Sequence, residues 1–208
     1  MAGLRERQKA DRRRRILQAA GALFRRSGYD HARIEDIAER AGVSVGTFYN
    51  YFANKGDILL ETVSMEVEEV LEAGDALVAD PPAGVPEAIL ALIRGYFEHS
   101  LTYLSKEMWR TAMAVSIRAP ETPFSRHYTA LDRRLSIQVC AMIAGLQARG
   151  LVRDGLDPQA VGEVIFNNLN MMFIEFTKDE AMSMETLLAA VERQTRPLAA
   201  MISAPPSG

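Results

Sequence analysis

The chain has 208 residues, 24 Lys and Arg against 27 Asp and Glu, a formal charge of −3 and 48% hydrophobic residues. That balance excludes wholesale disorder and suits one domain, or one small and one medium domain, each able to bury a core. The single cysteine, Cys140, excludes an intrachain disulfide and a cysteine-rich zinc site. No uncharged apolar run approaches the roughly 18 residues that would span a bilayer.

Taken in chain order, the sequence reads as helix and turn, with apolar residues recurring at spacings of three and four and few strand-like alternations. The first helix is expected from about Asp11 to Ser27, with Ile16, Ala20, Leu23 and Phe24 on one face and Gly28 as its stop. A basic start followed by an apolar stretch superficially suggests a signal peptide. The Ile16–Phe24 segment is short, carries Gln18 and ends at Arg25-Arg26, so the expectation is a cytoplasmic protein. A short second helix, about Ile34 to Arg40, is broken by Gly42. A third follows Ser44 as N-cap and turns Phe48 and Phe52 inward. Asn54 is the expected cap of helix four, with Asp57 three residues on.

The stretch from Ala79 to Pro86 carries three prolines and a glycine and reads as a linker. Helix five begins at Pro86 and carries Ile89, Ile93, Tyr96, Phe97, Leu101 and Leu104. A sixth helix carries Trp109, Met113 and Ile117 and ends at Pro120 and Pro123. Helix seven runs from Phe124 to about Arg149, closed by Gly150. Asp157-Pro158 opens helix eight, which reaches about Thr177 and is apolar almost all round. Helix nine spans about Met184 to Ile202, with a kink expected at Pro197.

The stretch Ile34–Tyr51, IEDIAERAGVSVGTFYNY, carries the functional signal. A helix-turn-helix crosses two short helices steeply, which requires a small residue at Ala38, a positive-φ turn at Gly42 and apolar wedges at Ile37, Val43 and Phe48. Charge supports the same end of the chain. Residues 1–55 carry a net +6 and residues 56–208 a net −9, so a basic module precedes an acidic body, an electrostatic footprint for a polyanion. From charge alone a solvated, arginine-rich helix fits as well, and a structural helical hairpin can share the motif.

From about Arg12 to Leu60, through ILQAAGALFRRSGYD, IEDIAERAGVSVGTFYNYF and NKGDIL, the chain resembles the DNA-binding domain of TetR-type (tetracycline-repressor-like) transcriptional regulators. The resemblance implies an all-α protein of about nine helices. A three-helix DNA-binding domain over 1–55 would precede a helical ligand-binding and dimerisation domain over 56–208. It implies that Ser44 caps the recognition helix near phosphate and that Val45, Gly46 and Thr47 enter the major groove. Tyr49, Tyr51 and Lys55 align with phosphate-contacting positions. Asn50 is the nearby amide able to pair with adenine. Family members commonly carry Thr just before helix two, where this chain has Ala32-Arg33, and Arg33 is placed to reach a phosphate directly. Val45 and Gly46 lack bidentate hydrogen-bonding groups, so modest direct base readout is expected, with much affinity from the DNA backbone. Arg5, Arg7 and Arg12 to Arg15 form either an arm along DNA or a solvated terminus.

In the body, the resemblance implies a homodimer through the last two helices. Asn167, Asn168 and Asn170 would fix register across it, face a ligand, or be satisfied core amides. A small-molecule pocket is expected among helices five to eight, lined by Tyr96, Phe97, His99, Tyr103, Trp109, Met113, Met142, Phe166, Asn170 and Phe173, although such residues at helical spacing also build plain core. The three histidines, His31, His99 and His127, are dispersed and suggest no metal. No phosphate-cradling glycine loop or hydrolase motif is present, and no cofactor is expected. The expectation is therefore a repressor released from a palindromic operator by a small molecule. The alternatives are an activator, a nucleoid-type binder, or a helical ligand-binding protein or enzyme with a structural helix-turn-helix.

Overall fold

The computed structural model describes residues 2–205, without the side chains of residues 2, 4 and 5. Among the described residues it contains nine α-helices: α1 (Ala2–Ser27), α2 (Ile34–Arg40), α3 (Val45–Tyr49), α4 (Lys55–Ala79), α5 (Val85–His99), α6 (Lys106–Arg118), α7 (Pro123–Ala148), α8 (Pro158–Lys178) and α9 (Met184–Ile202). Strands are absent from the described residues; one antiparallel bridge joins Val152 and Ser203. The all-α expectation is met, and helix ends sit where local chemistry puts them. Gly42 takes φ +64°, and its N–H donates to Glu39 O at 3.0 Å, closing α2 at no Cβ cost. Ser44, Ser105, Asp157 and Ser183 each accept a backbone N–H of the following turn. Asn54 Oδ1 accepts from Asp57 N at 3.1 Å, and Asp57 reaches back to Ala53 N at 2.8 Å.

One expectation needs correction. Helix α1 begins at Ala2, not near Asp11, because residues 4–10 are nearly all good helix formers. Asp11 lies within the helix and pairs with Arg14 at 2.8 Å and Arg15 at 3.4 Å. The Arg5 side chain and the last three residues of the SAPPSG tail lie outside the described residues. The described chain packs as two compact units. One unit comprises Met1–Met65 with Tyr103–Tyr128, the other Glu66–Thr102 with Thr129–Gly208. Helix α6 thus belongs with the amino-terminal helices.

In the first unit, Ile16, Ala20, Phe24, Ile37, Ala38, Phe48, Ile58, Leu59 and Met108 are at most 1% exposed. Glu107 at the start of α6 accepts the Tyr29 N–H at 3.1 Å, and Arg25 donates to Tyr103 O at 3.3 Å. Trp109 is buried and Met113 half-buried, while Ile117, expected on the same face, is 78% exposed.

In the second unit, α5 packs along α9, and α8 also meets α9. The core there runs through Ile89, Ile93, Val139, Met142, Ile143, Leu146, Ile165, Leu169, Phe176, Leu187 and Val191. Pro197 stands inside α9, which continues to Ile202. Helices α7 and α8 meet at Gly162, where an added Cβ would lie 2.6 Å from Cys140 Cα and 2.9 Å from Cys140 N. A methyl group there must displace backbone. Gly162→Ala is therefore expected to cost about 1–3 kcal/mol, measured by chemical denaturation, whereas Gly145→Ala, with no atom of that kind within 4 Å, serves as the tolerated control.

Candidate nucleic-acid interface

Helix α3 has five residues, and its faces are sharply divided. Phe48 is fully buried, edge-on to Tyr49 at 5.5 Å and tilted against Phe52 at 6.1 Å. Away from Phe48 the helix and its cap expose Val45 at 37% and Tyr49 at 53%, with Ser44, Gly46 and Asn50 also exposed. Ser44 Oγ accepts the Thr47 N–H at 3.0 Å and lies 2.9 Å from Thr47 Oγ1. The structure therefore brings Ser44, Val45, Gly46, Thr47, Tyr49 and Asn50 onto one short helix and its cap. Tyr51 is half-buried just beyond it. An added Cβ at Gly46 would meet nothing nearer than Ser44 Oγ at 3.9 Å, so this face is smooth and open, as close approach to a double helix requires.

Arg33 and Lys55 are placed differently from each other. Arg33 is the N-cap of α2 without a side-chain cap bond, and its side chain is 71% exposed with a 3.4 Å ion pair to Glu35. Lys55 is half-buried. Its ammonium donates to Tyr29 O at 2.8 Å and Asp30 O at 3.0 Å and stands 4.9 Å from the centre of the Tyr29 ring. Its demonstrated contacts are with the turn between α1 and α2. Burial, then Asp30 and Asp57, raise the Tyr29 phenol above its ordinary pKa.

The structure adds a feature that sequence reading did not assemble. An open cleft of about 380 Å³ lies between α1 and the end of α2, lined in part by Arg15, Gln18, Arg40 and Gly42. Arg15 and Arg40 are 25 positions apart, and the one available signal was the basic run itself. Arg13 is already committed: its guanidinium pairs with Glu61 at 2.7 Å and lies over the Phe52 ring at 5.8 Å.

The residues expected to line a ligand pocket divide between the two units. Tyr103, Trp109 and Met113 belong to the first; Tyr96, Phe97, His99, Met142, Phe166, Asn170 and Phe173 belong to the second. In the second unit Phe97 and Phe173 stack at 5.6 Å with their planes 11° apart. His99 Nδ1 lies 2.5 Å from Glu66 and Nε2 2.9 Å from Glu69, both carboxylates on α4. Tyr96 donates to Gln138 Oε1 at 2.6 Å, and burial followed by Asp75 raises its phenol pKa. Asn170 Nδ2 donates to Asp132 Oδ1 at 3.4 Å, and burial lifts the Asp132 carboxyl from 3.8 to about 6. Asn167 and Asn168 are exposed, Asn168 bonding Gln194 of α9 at 3.1 Å. Among the described residues no group of His, Cys, Asp and Glu is arranged to hold a metal ion, and no helix is long and apolar enough to cross a membrane.

An exposed, capped recognition helix, set by one buried aromatic in a small helical unit, defines a helix-turn-helix DNA-binding regulator. Residues 16–62 match the model for bacterial regulatory proteins of the tetR family. The HTH-type transcriptional regulator BetI 1 of Chromohalobacter salexigens is 30% identical over 181 residues, 75% of this chain and 87% of that protein. The chain belongs to the tetR family and is a DNA-binding transcriptional regulator rather than an enzyme. The HTH-type transcriptional repressor KstR of Rhodococcus jostii is 37% identical over 83 residues, 40% of this chain; the match spans only 37% of that repressor's length. In fold, the chain is similar to a putative transcriptional regulator from Saccharomonospora viridis solved in complex with choline, with TM-score 0.69 and 23% identity over 93% of this chain and 98% of that one.

Two outcomes follow from this geometry. Gly46→Asp should leave the melting temperature nearly unchanged and reduce operator binding at least tenfold in fluorescence anisotropy, since it places a carboxylate on the open face. Asp132 should show a pH signature. A carboxyl whose folded-state pKa exceeds its unfolded value takes up protons on folding, so its destabilising effect appears as pH rises from about 4 through 6. Asp132→Asn is expected to melt like the parent near pH 4 and above it at pH 7, measured by thermal denaturation across that range.

Proposed function

We propose that this regulator is a homodimeric repressor that binds a palindromic operator and is released by a small molecule. The observation that carries the DNA half of this reading is the exposed face of α3, held by Phe48 and capped by Ser44. Residues 1–55 carry the contacts to DNA, and residues 56–208 carry ligand binding and dimerisation. Val45, Gly46 and Thr47 enter the major groove, Asn50 pairs with a base edge, and Ser44, Tyr49, Tyr51 and Arg33 meet phosphates. Lys55 acts in part through the turn it holds. Arg15 and Arg40 line the cleft beside Gly42 and add to the phosphate attraction. A protein that works on operator DNA is cytoplasmic.

Homodimerisation is supported by α8. Val164 is 59% and Met171 56% exposed on the same helix, apolar area that a second copy would cover. The two recognition helices would then enter successive major grooves about 34 Å apart. Ligand release is supported by the choline complex of the similarly folded Saccharomonospora viridis regulator. A ligand can shift the equilibrium only by its differential affinity for the DNA-competent and DNA-incompetent states.

The test is titration onto the chain's own promoter DNA at several salt concentrations. Affinity should fall steeply with salt, and Arg40→Ala should lower the log–log slope by about 1 without changing sequence preference. Sequence-independent binding of single protomers would overturn the operator model, and a footprint upstream of the polymerase site would turn repression into activation. For the dimer, Met171→Asp is expected to shift the protein to monomer in analytical ultracentrifugation; a dimer that survives both Met171→Asp and Val164→Asp would place the interface elsewhere.

A further inference from the structure

The net +6 of residues 1–55 is not spread over the helices of the DNA-binding motif. Residues 16–55 hold Arg25, Arg26, Arg33, Arg40 and Lys55 against Asp30, Glu35, Asp36 and Glu39, a net of +1, and the first fifteen residues hold the remaining +5. The helix-turn-helix proper is therefore almost neutral. The charge that a polyanion would meet sits on the amino-terminal part of α1.

That part of α1 builds no core. Residues 6–15 are all exposed, and Ile16 is the first buried side chain among the described residues, so about 15 Å of helix lies outside the packing. Lys9, Arg12 and Arg15 follow one another at spacings of three, with Gln8 beside them, and share one face. Like charges at that spacing repel and weaken the helix that carries them; a polyanion alongside reverses the sign. Asp11 pairs with Arg14 and Arg15, and Arg13 pairs with Glu61. Among the described residues Arg7, Lys9 and Arg12 have no ion-pair partner.

The stripe ends at the reading module. The Arg15 guanidinium stands against Gly42, 3.4 Å from where a Cβ would lie, and lines the same cleft as Arg40. Gly42 comes two residues before Ser44, the cap of α3. Arg13 lies over the ring of Phe52, just beyond α3. The basic helix thus leaves the packed unit in contact with the turn before α3 and the segment after it. An anionic membrane is a poorer match, because Ala10 is the one apolar residue in 6–15 and no face is available to insert.

We infer that residues 6–15 of α1 form a second DNA-contacting element, which lies along the phosphate backbone beside the site read by α3 and reads no base. Lys9, Arg12 and Arg15 face the phosphates, with Arg7 on the flank, and supply the salt-dependent attraction that the nearly neutral helix-turn-helix lacks. This rests on the DNA-binding reading above and divides it: affinity comes from α1 and base recognition from α3.

The experiment titrates the full chain onto promoter DNA and onto an unrelated duplex of equal length, at several salt concentrations, by fluorescence anisotropy. Each phosphate neutralised contributes about 0.9 to the log–log slope. A triple variant, Arg7→Ala with Lys9→Ala and Arg12→Ala, should lose about 2 to 3 from the slope per protomer and roughly tenfold or more in affinity, equally on both duplexes. Lys9→Gln and Arg12→Gln should each lower the slope by about 1, which keeps the test if the triple variant folds poorly. Arg7→Lys with Arg12→Lys should keep the parent slope, because charge alone is used. An unchanged slope in these neutral variants overturns the inference and leaves a solvated helix. If vesicles rich in phosphatidylserine bind the parent and not the triple variant, while the slope on DNA is unchanged, the stripe belongs to a membrane and the inference is overturned. A preference for promoter DNA that disappears with the charges overturns it too, since the segment then reads bases. Operator recognition fails separately: a parent protein with a steep slope but no preference for promoter DNA, whose triple variant still loses slope, removes base reading by α3 and keeps this element.

Discussion

A helix of five residues has no stability of its own in water, yet α3 is the element that the first unit must hold in place. The solution is one side chain. Phe48 is fully buried with Phe52 beside it, and burial of a side chain of that kind is worth about 1.5–3 kcal/mol. The Ser44 cap adds about 1 kcal/mol, and Val43 N donates to Ala38 O at 3.0 Å across the turn. Because side chains advance about 100° per residue along a helix, fixing Phe48 inward turns Gly46 and Asn50 to the far side and leaves Val45 and Tyr49 on its flanks. Rotational setting and stability come from the same contact, so weakening the core at this point would misdirect the reading surface as well as loosen it.

The turn before α2 is set by charge instead. Tyr29 uses its N–H on the Glu107 carboxylate of α6 and its carbonyl on the Lys55 ammonium of α4. Both backbone groups of a single loop residue are therefore satisfied by charged side chains from two helices far along the chain. Bonds to charged groups contribute about 1.5–3 kcal/mol, more than neutral ones. Lys55 thus has a structural role that its alignment with phosphate-contacting positions did not convey. The start of α2, where Arg33 is exposed, is registered against α4 and α6 through that one residue.

Local chemistry was legible in the sequence and long-range pairing was not. The stops at Gly28, Gly42 and Gly150, and the caps at Ser44, Asn54 and Asp157, depend on residues within a turn or two of one another, so spacing alone locates them. The faces of α2 and α3 followed from the helix-turn-helix pattern for the same reason. By contrast, Glu107 is 78 positions from Tyr29, and no periodicity within α6 reveals that this helix belongs with the first unit. The true start of α1 was missed because an arginine-rich segment without an apolar face reads as a tail, although its residues favour helix. Ile117 continued the period of α6 but lies outside, since a spacing of four drifts off the buried stripe after two turns. The condition of Asp132 was equally hidden: what surrounds a carboxylate is a property of α7 and α8 together.

The second unit contains an internal control for that last point. Gln138, on the same helix as Asp132 and 4% exposed, is fully engaged. Its amide donates to Leu71 O at 2.8 Å and Asp75 at 2.6 Å, and its oxygen accepts from Tyr96 at 2.6 Å. Gly74 makes room for it, since a Cβ there would lie 2.1 Å from Gln138 Oε1. Here every polar atom is answered, as in an ordinary structural amide. Asp132 sits six residues earlier and, among the described residues, accepts one long bond, from Asn170 at 3.4 Å. The fold is thus able to satisfy a polar group inside this unit, down to omitting a Cβ for it, and does not do so for Asp132. Burial without pairing raises the Asp132 carboxyl, whereas the fully bonded Gln138 amide ties α7 to α4 and α5.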